Sequence, residues 1–380
     1  MGQHALLSAS SAAHWMACTR APRWEETLPE PEEKEYAREG TLAHAICERK
    51  LNNLLRDKKR SYNLAKLKKD PLYSPGMDSY TDVYVDYIEE LLGLDGRKQL
   101  FVEQRVEFSD WVPEGFGTSD AIILDDEVLH VIDFKYGKGV PVSAVGNPQL
   151  RLYGLGAFRV LQRLSDIETV HMVIIQPRLP AVITEDTMSI DDLLDWAEKE
   201  VKPKAALAWA GEGEWNPGVK QCQFCRGRYR CVRRAYWMLQ TGSILEQSER
   251  NELTNVEIAG ILEKADQLAR WATGLKEDAL ARALEGEKFP GYKLVTSRTN
   301  RRIRDPEKAA ALLTKQGCTP EMIYNLKGIT DLDKAVGKKR LAEILGDELT
   351  MTEGKPTLVV ESDPREALDL RPKDNEYFDE

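Results

Sequence analysis

Between residues 98 and 176 the apolar positions fall into short runs with the period of strands. Lys98–Phe108 carries Phe101, Val102, Val106 and Phe108. Phe116–Leu124 alternates small and apolar residues until Asp125, Asp126 and Glu127 break the run; Val128–Phe134 resumes it with Val, Leu, Val, Ile and Phe. Thr169–Gln176 is a fourth, strongly apolar run. Helical spacing surrounds these strands. Glu32–Arg56 sets Leu42, Ile46, Leu51, Leu54 and Leu55 on one stripe, and Tyr80–Leu94 is amphipathic. Asn147–Leu164 repeats the pattern with Leu150, Tyr153, Leu155, Phe158, Val160 and Leu161. The order helix, three strands, helix, strand predicts an α/β fold: a meander, a helical crossover and a mixed central sheet.

The flanks read as follows. Ser8–Thr19 is expected to form a short capped helix, and Arg20–Glu35, rich in Pro and Glu, a loop. Arg56–Lys69 is basic, and Pro71–Gly76 reads as a loop. Ile190–Trp209 is a helix charged on one face, and Asn255–Glu285 a long amphipathic one. Gly291–Arg304 is expected as a strand bearing Arg298, Arg301, Arg302 and Arg304; Asp305–Leu349 as several short helices; Lys355–Glu361 as a last strand. A boundary near Gln240–Asn251 divides a first domain, 1–240, from a mostly helical extension, 251–362. Residues 363–380 form an acidic tail with too few apolar groups to order itself.

Composition narrows the class. Of 380 residues, 42% are apolar, enough for a sizeable core. No run of about 18 or more apolar residues is present, which argues against a membrane span, and Met1–Ala17 lacks the pattern of a secretory signal. A cytoplasmic location is expected, where cysteines serve as thiols or metal ligands rather than disulfides. The net charge of −10 argues against a purely electrostatic nucleic-acid binder, although local patches matter more than the sum.

Four groups of residues carry candidate chemistry. Asp120 lies on the second strand and Asp133 near the end of the third; Lys135, two residues on, shares the face of Asp133. Two carboxylates and an ammonium converging there can hold a hard divalent cation and activate a water. The apolar run before Asp133 makes an unpaired charge costly, which argues against a merely solvated strand end. On the flanking helices, His44 and Glu48 share one face, as do Gln149 and Tyr153. Cys222, Cys225 and Cys231 are spaced like ligands and need a fourth for a zinc or iron–sulfur site. Cys18 is the best candidate, since Cys47 fits a helix core and Cys318 stands far along the chain. Arg226, Arg228, Arg230, Arg233 and Arg234 crowd the same segment and suit phosphates.

In this order the motifs resemble the RecB-type exonuclease branch of the PD-(D/E)XK nuclease superfamily. The resemblance rests on Gly40–His44 (Gly-x-x-x-His), Gly117–Asp120 (Gly-x-x-Asp), Asp133–Lys135 (Asp-x-Lys) and Gln149–Tyr153 (Gln-x-x-x-Tyr). The cysteines are similar to those of its iron–sulfur members, with one before the core and a Cys-x2-Cys-x5-Cys tail after it. The likeness covers Ser8–Arg234, and the whole chain, with Pro290–Leu294, resembles an uncharacterised phage and prophage family. It implies a restriction-endonuclease-like core and a DNA nuclease. His44, Asp120, Asp133 and the Phe134 carbonyl would then bind Mg2+ or Mn2+, Lys135 would position the attacking water, and Gln149 and Tyr153 would orient DNA or Lys135. Cys18, Cys222, Cys225 and Cys231 would hold a 4Fe-4S cluster as a staple, and Arg226, Arg228, Arg230 and Arg233 would contact DNA. The implied partners are single-stranded or end-containing duplex DNA and a phage replication or recombination protein. The chain has no P-loop pattern, so a helicase motor would be a separate protein. A catalytically silent DNA- or partner-binding module on the same fold is the alternative; it has no need of His44, Asp120, Asp133 and Lys135 together. A zinc-ribbon structural protein leaves Asp120, Asp133 and Lys135 unexplained.

Overall fold

The computed structural model describes residues 5–30, 34–55, 64–93, 97–243, 254–295 and 306–316, with 319–324, 327–328, 331–332 and 337–345. Five strands form one mixed sheet: β1 (Gln99–Glu107), β2 (Phe116–Asp125), β3 (Val128–Phe134), β4 (Thr169–Ile175) and β5 (Ile183–Ser189), in sequence order across the sheet. β1, β2 and β3 form an antiparallel meander, β3 and β4 pair parallel, and β5 returns antiparallel on β4. A parallel pair needs a crossover, and the helix Pro148–Leu161 supplies it. The α/β class and the mixed sheet are as the patterning predicted. β5 is not among the predicted strands. It lies at the sheet edge, only its alternate residues are partly covered, and it carries just Ile183 and Met188 as apolar residues. Its pairing with β4 defines it, not a hydrophobic run.

The helices are α1 (Ala12–Trp15), α2 (Ala21–Glu25), α3 (Glu35–Leu54), α4 (Leu64–Leu67), α5 (Pro75–Leu92), α6 (Pro148–Leu161), α7 (Ile190–Trp196), α8 (Lys202–Ala210), α9 (Val219–Cys222), α10 (Val232–Ser243), α11 (Asn255–Leu284), α12 (Pro306–Lys315), α13 (Pro320–Ile323) and α14 (Lys338–Leu345). Four expectations are corrected. The expected loop Arg20–Glu35 contains α2, a single turn with Pro22 in its first positions, where the missing N–H costs nothing. α5 begins at Pro75, inside the expected loop Pro71–Gly76, again because Pro is tolerated at a helix start. The helix expected over Ile190–Trp209 is split by a π-turn at Ala197–Val201. At the N-terminus a 3-10 turn, Ala9–Ser11, precedes α1, and the Ser8 hydroxyl meets Ser11 Oγ at 2.8 Å instead of capping the backbone.

The sheet has a core on each side. Ile122, Leu124, Leu129, Val131, Val170, Met172 and Ile174 pack with α6, α7, α8 and the N-terminal turns. Ala121, Ile123, Ile132, Phe134, Val173 and Ile175 pack with α3 and α5. β3 is therefore buried on both faces for nearly its whole length. Each buried Leu, Ile or Phe contributes about 1.5–3 kcal/mol, so the strand that carries Asp133 is held from both sides by the core.

The chain divides into two compact units, Met1–Leu294 and Val295–Glu380. The expected boundary at Gln240–Asn251 falls inside the first. α11 belongs there because Asp278 pairs with Arg230 at 3.0 Å and the Tyr229 ring lies where a Cβ on Gly274 would sit. The second unit contains α12, α13 and α14. Residues 291–295 are not strand, and the rest of the expected strand Gly291–Arg304 lies outside the described residues, as do Cys318, Lys355–Glu361 and Asp363–Glu380. Among the described residues no helix is long and apolar enough to cross a membrane.

Candidate active site

The site forms where three elements meet at the C-terminal end of β3. α3 buries Leu42, Ala43, Ile46, Cys47 and Leu51, and His44 stands at the border of that stripe, its ring edge-on to Phe134 at 5.3 Å. β2 presents Asp120 and β3 presents Asp133, which is only 2% exposed. α6 brings Gln149 and Tyr153. The Asn147 side chain accepts from the Gln149 N–H at 2.9 Å and Pro148 opens the helix, so its first turn is set by a cap and a fixed φ. α6 can approach the sheet because of Gly156: a Cβ there would stand 2.8 Å from Val106 Cβ.

These residues form two hydrogen-bonded groups side by side at the end of β3. His44 Nδ1 lies 3.3 Å from Asp120 Oδ1, and Asp120 Oδ2 accepts from the Phe134 N–H at 2.7 Å. Lys135 Nζ lies 2.9 Å from Asp133 Oδ2 and donates to Gln149 Oε1 at 3.1 Å. Gln149 Nε2 donates to Asp133 Oδ1 at 3.0 Å and to the Tyr153 hydroxyl at 3.3 Å. Gln149 therefore binds both the carboxylate and the ammonium, which fixes their relative positions. All six residues singled out from the sequence, His44, Asp120, Asp133, Lys135, Gln149 and Tyr153, come together here.

The electrostatics match this wiring. Burial works against the His44 cation, but Asp120 and then Asp133 outweigh it and raise the imidazole to about 9. Burial also opposes the Lys135 ammonium, and Asp133 and Asp120 again prevail, so Lys135 stays protonated above the usual lysine range. It can stabilise negative charge but cannot act as a base near neutrality. Burial raises Asp133, and Asp120 adds to it against the pull of Lys135. Asp120 is buried too, yet His44 and Lys135 hold it below the usual range.

Gly117 explains itself in this setting. A Cβ there would lie 2.7 Å from Tyr153 Cε1, closer than contact allows, so the tyrosine ring lies directly on the glycine. Gly117→Ala should displace Tyr153 and with it the Gln149 bonds. An overpacking cost of about 1–3 kcal/mol is expected, read as a lowered melting temperature together with a change in the site. A Cβ on Gly40, in contrast, would meet open space, and nothing in the structure explains that glycine.

The site can hold a divalent cation. Ligand atoms of His44, Asp120 and Glu103 lie within 4.8 Å of one another, and Asp133 stands beside them with its Oδ2 on the Lys135 ammonium. Carboxylates with one imidazole suit Mg2+ or Mn2+. Glu103 was missed in the sequence. A lone Glu in a partly polar strand carries no spacing signal; only its backbone, with φ +47°, marks it.

The cysteine segment closes against the N-terminal turns. Cys18, Cys222, Cys225 and Cys231 line one small cavity, walled by Trp24, Trp215, Arg228 and Arg233. The Asn216 N–H donates to Cys18 Sγ at 3.3 Å and the Gly218 N–H to Cys222 Sγ at 3.4 Å, the acceptor role that a thiolate ligand plays. Among the described residues no three of these sulfurs lie within 4.8 Å of one another. A tetrahedral zinc with bonds of about 2.3 Å needs about 3.8 Å between sulfurs. Cys47 is buried in the α3 core instead.

A groove of about 840 Å3 runs from Lys135 and Gln149 past Lys220 and Phe224 to Arg226, Arg228 and Arg230. Three of the four arginines proposed from the sequence as DNA contacts thus share a groove with the site. Arg230 is partly neutralised by Asp278. Arg233, in the first turn of α10, lines the cysteine cavity.

Among solved structures, the chain is similar to SSO0001, with 17% identity over 56% of this chain and 94% of that one, at a TM-score of 0.24. It is also similar to LHK-Exo in complex with dAMP, with 15% identity over 43% of this chain and 87% of that one, at a TM-score of 0.24. A family model described as "Protein of unknown function (DUF2800)" matches residues 4–366, nearly the whole chain, and the protein belongs to that family.

Proposed function

We propose that this protein is a Mg2+- or Mn2+-dependent DNA nuclease of the PD-(D/E)XK type, an exonuclease acting in phage or prophage replication, recombination or repair. The observation that carries the reading is the buried unit Asp120–Asp133–Lys135–Gln149 at the end of β3, with His44 on Asp120. A purely structural strand end gains nothing from gathering two buried carboxylates and a largely covered ammonium, and desolvation makes the arrangement costly.

A divalent ion held by His44, Asp120 and Asp133 would supply Lewis-acid stabilisation of the phosphate and a more acidic water. The protein does the rest by position. Lys135, held protonated by Asp133, presents its ammonium to the charge that builds on the phosphate oxygens. Gln149 keeps that ammonium and Asp133 in register, and Tyr153, packed on Gly117, braces Gln149. Arg226 and Arg228 in the groove hold flanking phosphates. The four cysteines hold a 4Fe-4S cluster whose role is structural: it ties the N-terminal turns to the segment after α8. The shared cavity of Cys18, Cys222, Cys225 and Cys231 and the N–H donors on Cys18 and Cys222 support a metal–thiolate site there.

End-labelled single- and double-stranded DNA, incubated with Mg2+, Mn2+ or EDTA, tests the reading. Cleavage that needs the metal supports it; DNA binding without cleavage under any metal leaves the silent-module alternative. None of the site residues lies in 295–380, and that unit is proposed to recruit a partner or extend the DNA path. Its removal is expected to leave cleavage of short oligonucleotides. Complete loss, with circular dichroism showing residues 1–294 still folded, would place part of the site in the second unit.

A further inference from the structure

Glu103 stands on β1 between the register pairs Val102↔Ala121 and Gln104↔Ser119, and so directly across from Asp120. Its φ of +47° is left-handed. A glutamate gains nothing from that conformation, which L-residues with long side chains rarely adopt. In the middle of a strand it must be imposed by what surrounds it. The consequence is visible in the site. The Glu103 carboxylate is brought within 4.8 Å of both the His44 and the Asp120 ligand atoms. Among the described residues it has no hydrogen-bond or ion-pair partner there.

Charge makes the placement harder to explain without a ligand. Asp120 is already engaged by His44 and Asp133 by Lys135, while Glu103, the third carboxylate, forms no ion pair among the described residues. With His44 and Lys135 already engaged by Asp120 and Asp133, turning a further acid toward Asp120 is unfavourable unless another cation binds between them. The spacing suits one: oxygen or nitrogen ligands at about 2.1–2.4 Å from an ion stand at most about 4.2–4.8 Å apart.

We infer that Glu103 is a further ligand of the divalent cation, turned inward by a left-handed residue in β1. The inference rests on the metal-dependent reading above and extends it. His44, Asp120 and Asp133 mark a site by sequence motif, whereas Glu103 completes the oxygen set from an element that no motif includes. A third carboxylate also gives the site the charge to hold Mn2+ before DNA arrives.

Mn2+ binding, measured by calorimetry and by loss of the free-ion EPR signal without DNA, tests the assignment independently of cleavage. Glu103→Gln keeps the size of the side chain and removes its charge. It should weaken Mn2+ at least tenfold, raise the metal-free melting temperature by relieving repulsion, and shrink the further rise on adding Mn2+. Glu103→Gly, which adopts positive φ freely, serves if the glutamine variant folds poorly, and should show the same loss of Mn2+. Wild-type Mn2+ affinity in either folded variant would overturn the inference, whatever the cleavage assays show. Conversely, a wild-type protein that binds Mn2+ through Glu103 but cleaves no DNA would leave the ligand assignment standing and remove the nuclease reading.

Discussion

Asp133→Ala is expected to reduce metal-dependent DNA cleavage by roughly a thousandfold or more, with the protein still folded. The size of the effect follows from the wiring. Asp133 is bonded to Gln149 and paired with Lys135, so its removal takes away a cation ligand and releases the ammonium that should face the phosphate. Stability should hold or rise, because burial and Asp120 both work against this carboxylate in the metal-free protein. Lys135→Ala should abolish cleavage to a similar extent but lower the melting temperature, since it leaves Asp133 buried without its counter-charge, a loss of about 3–5 kcal/mol for a fully buried pair and less here because the ammonium is partly exposed. The double variant should be little worse than either single one, because the groups act as one unit. Rates on end-labelled DNA with melting curves for the three variants check this. Near-normal cleavage by Asp133→Ala would mean that the chemistry takes place elsewhere.

Cys225→Ser should act in the opposite order, on stability before chemistry. Cys18 and Cys222 bracket the whole sheet and both line the cysteine cavity, so a cluster bound by both closes a very long loop of chain. By analogy with a disulfide, closing such a loop is worth roughly 4 kcal/mol or more, and metal–thiolate bonding adds to it. Anaerobically purified protein should be brown, with about four irons per chain for a 4Fe-4S cluster. Cys225→Ser and Cys18→Ser should lose the colour and melt at distinctly lower temperature, while short-oligonucleotide cleavage by the fraction still folded persists. Cys47→Ser should keep the colour, as that thiol lies in the α3 core. One zinc per chain with neither iron nor sulfide would replace the cluster with a four-cysteine zinc site. Colour and stability retained in Cys18→Ser would remove the staple altogether.

What could be read along the chain was whatever local spacing determines. The period-two runs placed β1 to β4, because strands buried on one or both faces must carry apolar residues at fixed positions. The i, i+4 spacing put Gln149 and Tyr153 on one face of α6, where they are now seen hydrogen-bonded. Asp133 and Lys135, two apart, were on one side for the same reason. Elements whose energy comes from other parts of the chain were not legible. β5 exists through its pairing with β4, and α11 joins the first unit through Asp278 and Gly274, contacts that no local pattern encodes. The reason Gly117 is a glycine lies 36 positions away, in the ring of Tyr153. Glu103 is the sharpest case: its sequence neighbours make it one more polar strand residue, and only a left-handed φ opposite Asp120 turns it into the site. Spacing determines which side chains share a face, since that is a property of the helix or strand alone. Which faces meet, and how closely, depends on packing between distant segments, and that was decided only in the tertiary structure.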